Sequence, residues 1–155
     1  MVKYHLMKVV LQRVTYSNLS IDKKIYSQIN GGLVALLGIT HDDDDNDIQW
    51  LAKKIVNLRI FNDDKNIMNK SLIDVSGELM IVSQFTLHAQ TKKGNRPSYI
   101  DAANGDIAEK IYKSFVLEIE NKYNLKPKTG KFGADMKVEM ENDGPVTIII
   151  DTKNK

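Results

Sequence analysis

The 155-residue sequence contains no cysteine. Disulfides, thiolate metal sites and a cysteine nucleophile are therefore excluded. The sequence also has no apolar run near the roughly 18 residues that a membrane-spanning helix needs. Residues 1–8 lack the apolar stretch of a secretory signal. We therefore predict a cytoplasmic protein with no membrane partner.

Excess charge of one sign is also scarce, because the formal net charge is only +2. Proteins that coat nucleic acid through phosphate contacts alone carry a larger basic excess. The charged residues are instead segregated into an acidic run at residues 42–47 and basic groups at residues 92–96 and 126–131. Any contact with RNA is therefore expected to be local.

Several familiar catalytic motifs are absent as well. The sequence has no phosphate-binding loop, no dinucleotide fingerprint, no paired zinc histidines and no nucleophile elbow. A serine triad would have to use His41 or His88, although lone histidines more often lie at the surface. The acidic run lacks the ligand spacing of a calcium loop, so we interpret it as helix capping. Neither a metal nor a cofactor is predicted.

Hydrophobic periodicity predicts about seven strands. A hairpin is expected over residues 19–29 around the polar residues 22–24. Residues 33–39 are almost all apolar, which is typical of a strand covered on both faces. The other predicted strands lie at residues 7–15, 78–87, 136–141 and 146–151, the last two joined by a turn at 142–144.

Two amphipathic helices are predicted. The first follows the acidic run, with apolar residues at helical spacing from residue 48 to Arg59, and the second spans residues 105–123. Because most strands are in hairpin order, we expect an α/β protein of the α+β type. It would have mixed, largely antiparallel sheets with both helices packed on one side, in a single domain over residues 1–155. Residues 1–6 would be an N-terminal extension.

Polar side chains end the apolar strand in the middle of the chain. Ser83, Gln84 and Thr86 stand where a core strand would continue with valine or leucine. Such groups destabilise a fold unless they are hydrogen-bonded. They either cap the strand and lead into the next loop, or belong to a functional site.

The closing turn contains an unusual proline. Asp143-Gly144 favours a two-residue hairpin turn, but Pro145 then removes a backbone donor where the next strand should begin to pair. A glycine before proline lets backbone groups approach a ligand closely, whereas a trans proline at an edge strand is the more common arrangement. Both interpretations remain open on physical grounds.

Five motifs follow one another along the chain: VVLQRV at 9–14, SQFTL at 83–87, KGNRP at 93–97, GKFGADM at 130–136 and NDGPVT at 142–147. In this order they resemble the D-aminoacyl-tRNA deacylase family, also called D-tyrosyl-tRNA deacylases. The similarity runs from Met7 to about Asp151, with Tyr99 where the family favours phenylalanine.

The resemblance implies a homodimer in which the Gly144-Pro145 bond is cis and enters the active site of the other subunit. The two carbonyls would exclude L-aminoacyl esters, so the substrate would be tRNA carrying a D-amino acid or glycine. Arg13 would brace the partner's Gly-Pro segment. Met136 would also contact the substrate.

The resemblance also places Ser83, Gln84, Phe85 and Thr86 around the terminal adenosine and the aminoacyl group. Thr86 is the obvious protein nucleophile, but no carboxylate lies near it in the sequence, and the only histidine close by is His88. We therefore favour assistance by the 2′-hydroxyl of the RNA, with backbone N–H groups stabilising the oxyanion. The basic residues Lys92, Lys93 and Arg96 would hold tRNA phosphates, or would form a solvated loop.

Three alternatives remain. A non-catalytic RNA-binding module would need clustered aromatics, and the chain has one tryptophan. An esterase or amidase of small molecules would not require the tRNA for turnover. A purely structural dimer leaves the Gly-Pro pair and the polar strand end unexplained.

Overall fold

Residues 6–155 are described in a computed structural model of the chain. This part contains eight strands, two α-helices and two short 3-10 helices. The strands are β1 (Lys8–Ile21), β2 (Lys24–Ile29), β3 (Gly32–Gly38), β4 (Phe61–Asn62), β5 (Met68–Lys70), β6 (Glu78–Ser83), β7 (Lys128–Thr129) and β8 (Lys137–Asp151). The helices are α1 (Asp45–Asn57) and α2 (Gly105–Tyr123), and the 3-10 helices are Phe85–His88 and Thr152–Asn154.

Six strands form one sheet. Five of them follow the order β2-β1-β3-β6-β7, and the sixth, β8, pairs with β1 over nearly its whole length. The β3–β6 and β6–β7 pairs are parallel, whereas β1 is antiparallel to all of its partners. Strands β4 and β5 form a separate small ribbon. The predicted α+β class with mixed, largely antiparallel strands is confirmed.

Both helices cover the same face of the sheet. The larger core cluster joins apolar residues of α1 and α2 to alternate residues of β3 such as Leu33 and Leu37. The intervening Val34 belongs to a second cluster on the opposite face, closed by residues of β2 and β8. Strand β3 is therefore covered on both faces, as its apolar sequence predicts.

The acidic run works as a capping device. The Asp44 side chain accepts a hydrogen bond from the Asp47 backbone, and the Asp47 side chain accepts one from the Asp44 backbone. Such a capping box satisfies two backbone donors at the start of a helix. The predicted helix is confirmed, but it ends at Asn57 and leaves Arg59 outside.

The first hairpin and the chain terminus differ slightly from prediction. Strand β1 continues past residue 15 to Ile21 and turns at Asp22 and Lys23, both with positive φ, into β2. The hairpin over residues 19–29 is therefore confirmed, within a longer first strand. Of the predicted extension at residues 1–6, residues 1–5 lie outside the described part, whereas Leu6 is buried.

The closing segment corrects the prediction of two strands joined by a turn. Both halves of β8 pair with the same strand, because Gln12 faces Thr147 and Val14 faces Asn142. Residues 143–146 therefore oppose Arg13 alone and bulge from the ladder. This Gly-Pro bulge disrupts the pairing locally without ending the strand.

The predicted strand at residues 78–87 was too long. Strand β6 ends at Ser83, and residues 85–88 form a 3-10 helix. The Gln84 N–H still donates to Leu37 at 2.8 Å, but the Gln84 carbonyl accepts from the Leu87 N–H. The chain therefore leaves the sheet at Gln84, because the Gln84 carbonyl bonds to the following turn and not to a neighbouring strand.

Candidate active site

A cavity of about 400 Å³ opens at the ends of the parallel strands β3 and β6. Its remaining walls come from the start of α2, from residues 132–136 and from the beginning of β8. The lining residues are Leu36, Ile39, Val82, Ser83, Gln84, Phe85, Ala103, Gly105, Ala108, Phe132, Gly133, Ala134, Met136 and Val138. The wall is mainly apolar, with the polar side chains of Ser83 and Gln84 at one end, as is typical of small-molecule sites.

Tyr112 fixes α2 beside this cavity. Its hydroxyl donates to the Ile81 carbonyl at 2.5 Å, next to the strand end that forms the floor. Burial raises the pKa of Tyr112, so the hydroxyl stays protonated and remains a donor. The middle of α2 is thereby held against β6.

Four of the predicted site residues lie in the cavity wall: Ser83, Gln84, Phe85 and Met136. Thr86 is exposed just beyond it, and the Gln84 amide donates a hydrogen bond to its hydroxyl. The N–H groups of Phe85 and Thr86 have no acceptor within residues 6–155. Two backbone donors without an acceptor therefore follow the end of β6, one of them on the cavity-lining residue Phe85.

Neither histidine considered for a triad is placed to activate Thr86. His41 is exposed, and His88 is buried, with no hydrogen-bond partner for its Nε2 among the described residues. Burial lowers the pKa of His88, which favours the neutral ring. The wall of the cavity contains no histidine, aspartate or glutamate. A serine or threonine triad has no support in this geometry.

Gly144 and Pro145 lie on the Gly-Pro bulge, and the peptide bond between them is cis. Both residues are exposed, and neither lines the cavity of its own chain. The cavity-lining residue nearest to Gly144 along β8 is Val138, and the six steps of strand between them correspond to roughly 20 Å. The structure therefore does not bring the Gly-Pro pair together with Ser83, Gln84 and Phe85 within one chain.

Arg13 holds the Gly-Pro bulge of its own chain. Its guanidinium is only 7% exposed and donates to the Ile60 carbonyl at 2.7 Å and to the Asp143 carbonyl at 3.1 Å. The Asp143 carboxylate lies 3.5 Å from Nε. A planar guanidinium suits such a bridge between two acceptors. The implied contact of Arg13 with a partner subunit stays a prediction.

The basic residues Lys92, Lys93 and Arg96 lie on an exposed loop. Two backbone hydrogen bonds between Gln90 and Ser98 close the loop, and Gly94 has a φ of +65° at its tip. Within residues 6–155 none of the three cations has an ion-pair partner. The loop presents unpaired positive charge, but its residues do not line the cavity.

The sequence motifs predict only part of the cavity wall. Phe132 and Ala134 lie in the same motif as Met136, which is the only residue of that motif predicted to belong to the site. Ala103, Gly105 and Ala108 leave room at the start of α2, and their small size was the available signal. Tyr99 was also missed, although its ring packs edge-on against Phe85 with centroids 5.0 Å apart.

An apolar cavity with a few polar groups is typical of proteins with a small-molecule site. The model of the D-Tyr-tRNA(Tyr) deacylase family matches residues 10–151. The chain belongs to this family. Membership confirms the resemblance carried by the five motifs, and with it the enzyme class that they implied, a deacylase.

Two relatives illustrate the similarity. A D-aminoacyl-tRNA deacylase from Flavobacterium psychrophilum is 56% identical over 149 residues, covering 96% of this chain and 99% of the relative. Its counterpart from Fusobacterium nucleatum is 53% identical over 148 residues, covering 96% and 97%. The alignment therefore includes the whole candidate site in both cases.

Solved structures agree on the fold. The structure described as c-Myc DNA Unwinding Element Binding Protein superposes with a TM-score of 0.89 at 39% identity, covering 94% of this chain and 98% of the other. A probable eukaryotic D-amino acid tRNA deacylase superposes with a TM-score of 0.80 over the same shares. Its identity of 18% limits that likeness to the fold. Within residues 6–155, no helix has the length and apolarity needed to cross a membrane.

Proposed function

We propose that this protein hydrolyses the ester bond of D-aminoacyl-tRNA, releasing the D-amino acid and tRNA and leaving L-aminoacyl-tRNA intact. The observation that best supports this proposal is a mainly apolar cavity lined by Phe85, where the N–H groups of Phe85 and the next residue, Thr86, have no acceptor within residues 6–155. The family match and the names of the close relatives support the same substrate. The enzyme would thus remove wrongly attached D-amino acids in the cytoplasm.

Chiral selection is assigned to the Gly-Pro bulge of a second copy of the chain. The bulge is exposed and too far along β8 to reach the cavity of its own chain. A homodimer with the active site at the subunit interface would bring Gly144 and Pro145 of one subunit into the cavity of the other. Their carbonyls would occupy the position that an L side chain requires, so selection works by exclusion.

This mode of selection predicts a second substrate. A wall that excludes a misplaced side chain cannot exclude glycine, which has none. Glycyl-tRNA is therefore expected to be cleaved at a measurable rate. Failure to release glycine at high enzyme concentration would contradict selection by exclusion.

Catalysis is assigned to water and the RNA. Water attacks the ester carbonyl carbon, the bond to the ribose oxygen breaks, and that oxygen leaves with a proton. The N–H groups of Phe85 and Thr86 are free to stabilise the oxyanion, and the cavity wall supplies no base. The neighbouring 2′-hydroxyl of the substrate would assist the attack.

A pair of substitutions tests this assignment. Thr86→Ala should keep most of the activity, because Thr86 has no base to activate it and lies outside the cavity wall. A substrate ending in 2′-deoxyadenosine should lose most of its reactivity with the unchanged enzyme. The reverse pattern would make Thr86 the nucleophile.

The basic loop would add local contacts to the tRNA. Lys92, Lys93 and Arg96 are exposed and unpaired within the described residues, so they are available to phosphates. Lys93→Ala should reduce the slope of log tRNA affinity against log salt concentration by about 0.7–0.9. An unchanged slope would leave the loop as a solvated surface.

The first experiment compares hydrolysis of D-tyrosyl-tRNA with that of L-tyrosyl-tRNA. The wild-type protein should cleave only the D ester, and Pro145→Ala should lose either activity or chiral choice. Asn142→Ala, an exposed change in the same segment, is the matched control. Cleavage of neither ester would reject the proposed function and favour a non-catalytic RNA-binding module.

A further inference from the structure

A second concave surface, of about 710 Å³, lies at the C-terminal end of α1. Lys53, Lys54 and Arg59 bring three exposed cationic side chains to it beside Trp50. We call these four residues the basic pocket. Neither the predicted site residues nor the main cavity includes any of them.

Within residues 6–155 none of the three cations of the basic pocket forms an ion pair, but Arg59 interacts electrostatically with the Asp74 carboxylate. The Lys54 ammonium lies over the Trp50 ring, 5.4 Å from its centroid. The Arg59 Nε donates to the Asn69 carbonyl at 2.9 Å, which fixes the guanidinium at the rim. Three clustered cations in a concave surface attract a polyanion more strongly than scattered ones.

The basic pocket is joined to the Gly-Pro bulge by Arg13. Ile60, which also lines this concave surface, accepts a hydrogen bond from Arg13, and the same guanidinium donates to Asp143 beside Gly144. Only one buried side chain therefore separates the basic pocket from the bulge.

We infer that the basic pocket binds phosphate groups of the tRNA acceptor stem adjacent to the esterified 3′ end. The inference rests on the proposed function and adds an RNA contact that is separate from the loop at residues 92–96. In the proposed homodimer, the subunit that inserts the Gly-Pro bulge also holds the RNA. Both subunits then contact one tRNA, and the arriving RNA is oriented by charge before the ester enters the cavity.

The test separates RNA binding from chemistry by using two substrates. Lys53→Gln combined with Lys54→Gln removes two charges and keeps good helix formers. With D-tyrosyl-tRNA at low salt, KM should rise about fivefold or more. The slope of log KM against log salt concentration should become smaller by about 0.7–0.9 for each lost phosphate contact. With the D-tyrosyl ester of adenosine, which has no acceptor-stem phosphates, kcat/KM should stay at the wild-type value.

A matched control is Lys24→Gln combined with Lys110→Gln, which removes two exposed charges from β2 and α2. It should leave KM for the tRNA close to the wild-type value. An equal rise in KM for both double variants would attribute the effect to net charge and overturn the inference. So would a loss of activity on the adenosine ester, because the pocket would then act through the active site.

Failure of the inference and failure of the proposed function give different results. An active wild-type enzyme whose KM and salt slope are unchanged in the Lys53/Lys54 variant rejects only the basic pocket. A wild-type enzyme that cleaves neither the tRNA nor the adenosine ester rejects both.

Trp50 provides an independent readout, because it is the only tryptophan in the chain. Uncharged tRNA should change its fluorescence at concentrations that match binding, and the Lys53/Lys54 variant should need several-fold more tRNA for the same change. Binding of tRNA without any change in Trp50 emission would place the RNA elsewhere.

Discussion

Asp43, one residue before the N-cap of α1, is a buried carboxyl whose pKa is raised by burial to about 7. The hydrogen bonds donated by the Thr40 N–H and hydroxyl oppose this shift, and the nearby Asp47 adds to it. The folded protein therefore holds a proton at Asp43 at pH values where the unfolded chain, with a pKa near 3.9, has released it.

A pH dependence of stability follows. Between about pH 4 and pH 7 the folded state binds more protons than the unfolded state, so the free energy of unfolding falls as pH rises. The stabilisation that Asp43 contributes is complete at pH values below its pKa in the unfolded chain. It is lost as the pH rises through its pKa in the folded protein, with a slope of up to about 1.4 kcal/mol per pH unit. Urea unfolding across this window should show the slope in wild type and in Asp42→Asn, an exposed neighbour, but not in Asp43→Asn. An unchanged slope in Asp43→Asn would place the titrating group elsewhere.

Arg13 is the residue on which the position of the Gly-Pro bulge depends. Arg13→Lys offers a single ammonium in place of a fork, so it cannot satisfy both the Ile60 and Asp143 carbonyls. We expect a loss of about 2 kcal/mol in unfolding free energy and weaker discrimination between D- and L-tyrosyl-tRNA. Arg59→Lys, on an exposed side chain, should cost under about 0.5 kcal/mol. Equal stability of the two variants would contradict this role of Arg13.

At the scale of elements, the parallel contact of β3 with β6 requires a glycine at position 32. A Cβ at Gly32 would lie 1.8 Å from the Glu78 carbonyl oxygen, whereas one at Gly31 would meet its nearest atom at 4.0 Å. Gly32→Ala should therefore cost about 3 kcal/mol or more, because the strands would have to separate. Gly31→Ala is the control and should change stability by less than about 1 kcal/mol. Similar melting temperatures for the two variants would contradict the close approach.

Elements also show how far sequence reasoning extends. Helix α2 matches the predicted residues 105–123, because Ile107, Ile111, Phe115 and Ile119 keep a regular spacing and Asn104 caps the start. The sequence predicts that the strand after Glu78 continues to residue 87, because apolar and β-favouring residues continue past Ser83. Its end depends on the pairing of Gln84 with Leu37, which is distant in sequence.

At the scale of the whole molecule, the proposed homodimer can be tested by mixing two variants that each lack D-selective hydrolysis. Pro145→Ala disables the bulge, and Ala134→Trp fills the cavity. If the bulge acts in the other subunit, a mixed dimer has one intact site made from the unaltered cavity of one chain and the unaltered bulge of the other. About a quarter of wild-type activity should then return, because half of the dimers are mixed and each has one working site of two.

Two controls complete the mixing experiment. Each variant alone should show no D-selective hydrolysis at the same total concentration, and that selectivity should appear only under conditions that allow subunits to exchange. If no activity returns although mixed dimers form, the Gly-Pro bulge would act within its own chain. That result would contradict the interface site while leaving deacylation itself intact.

The amino-acid sequence by itself determined the local elements of this protein and its family. Helix caps, the apolar run of β3 and the spacing in α2 act over a few residues, so they can be read in order along the chain. The five motifs specified the deacylase family for the same reason. They also singled out Ser83, Gln84, Phe85 and Met136, which line the cavity.

Only the tertiary structure decided which distant residues meet. The cavity joins the end of β6 to the start of α2 and to residues 132–136, and the Gly-Pro bulge exists because both halves of β8 pair with β1 across Arg13. The basic pocket likewise depends on where α1 ends relative to Arg59. Such contacts come from packing and strand register, which the spacing of residues along one segment does not encode.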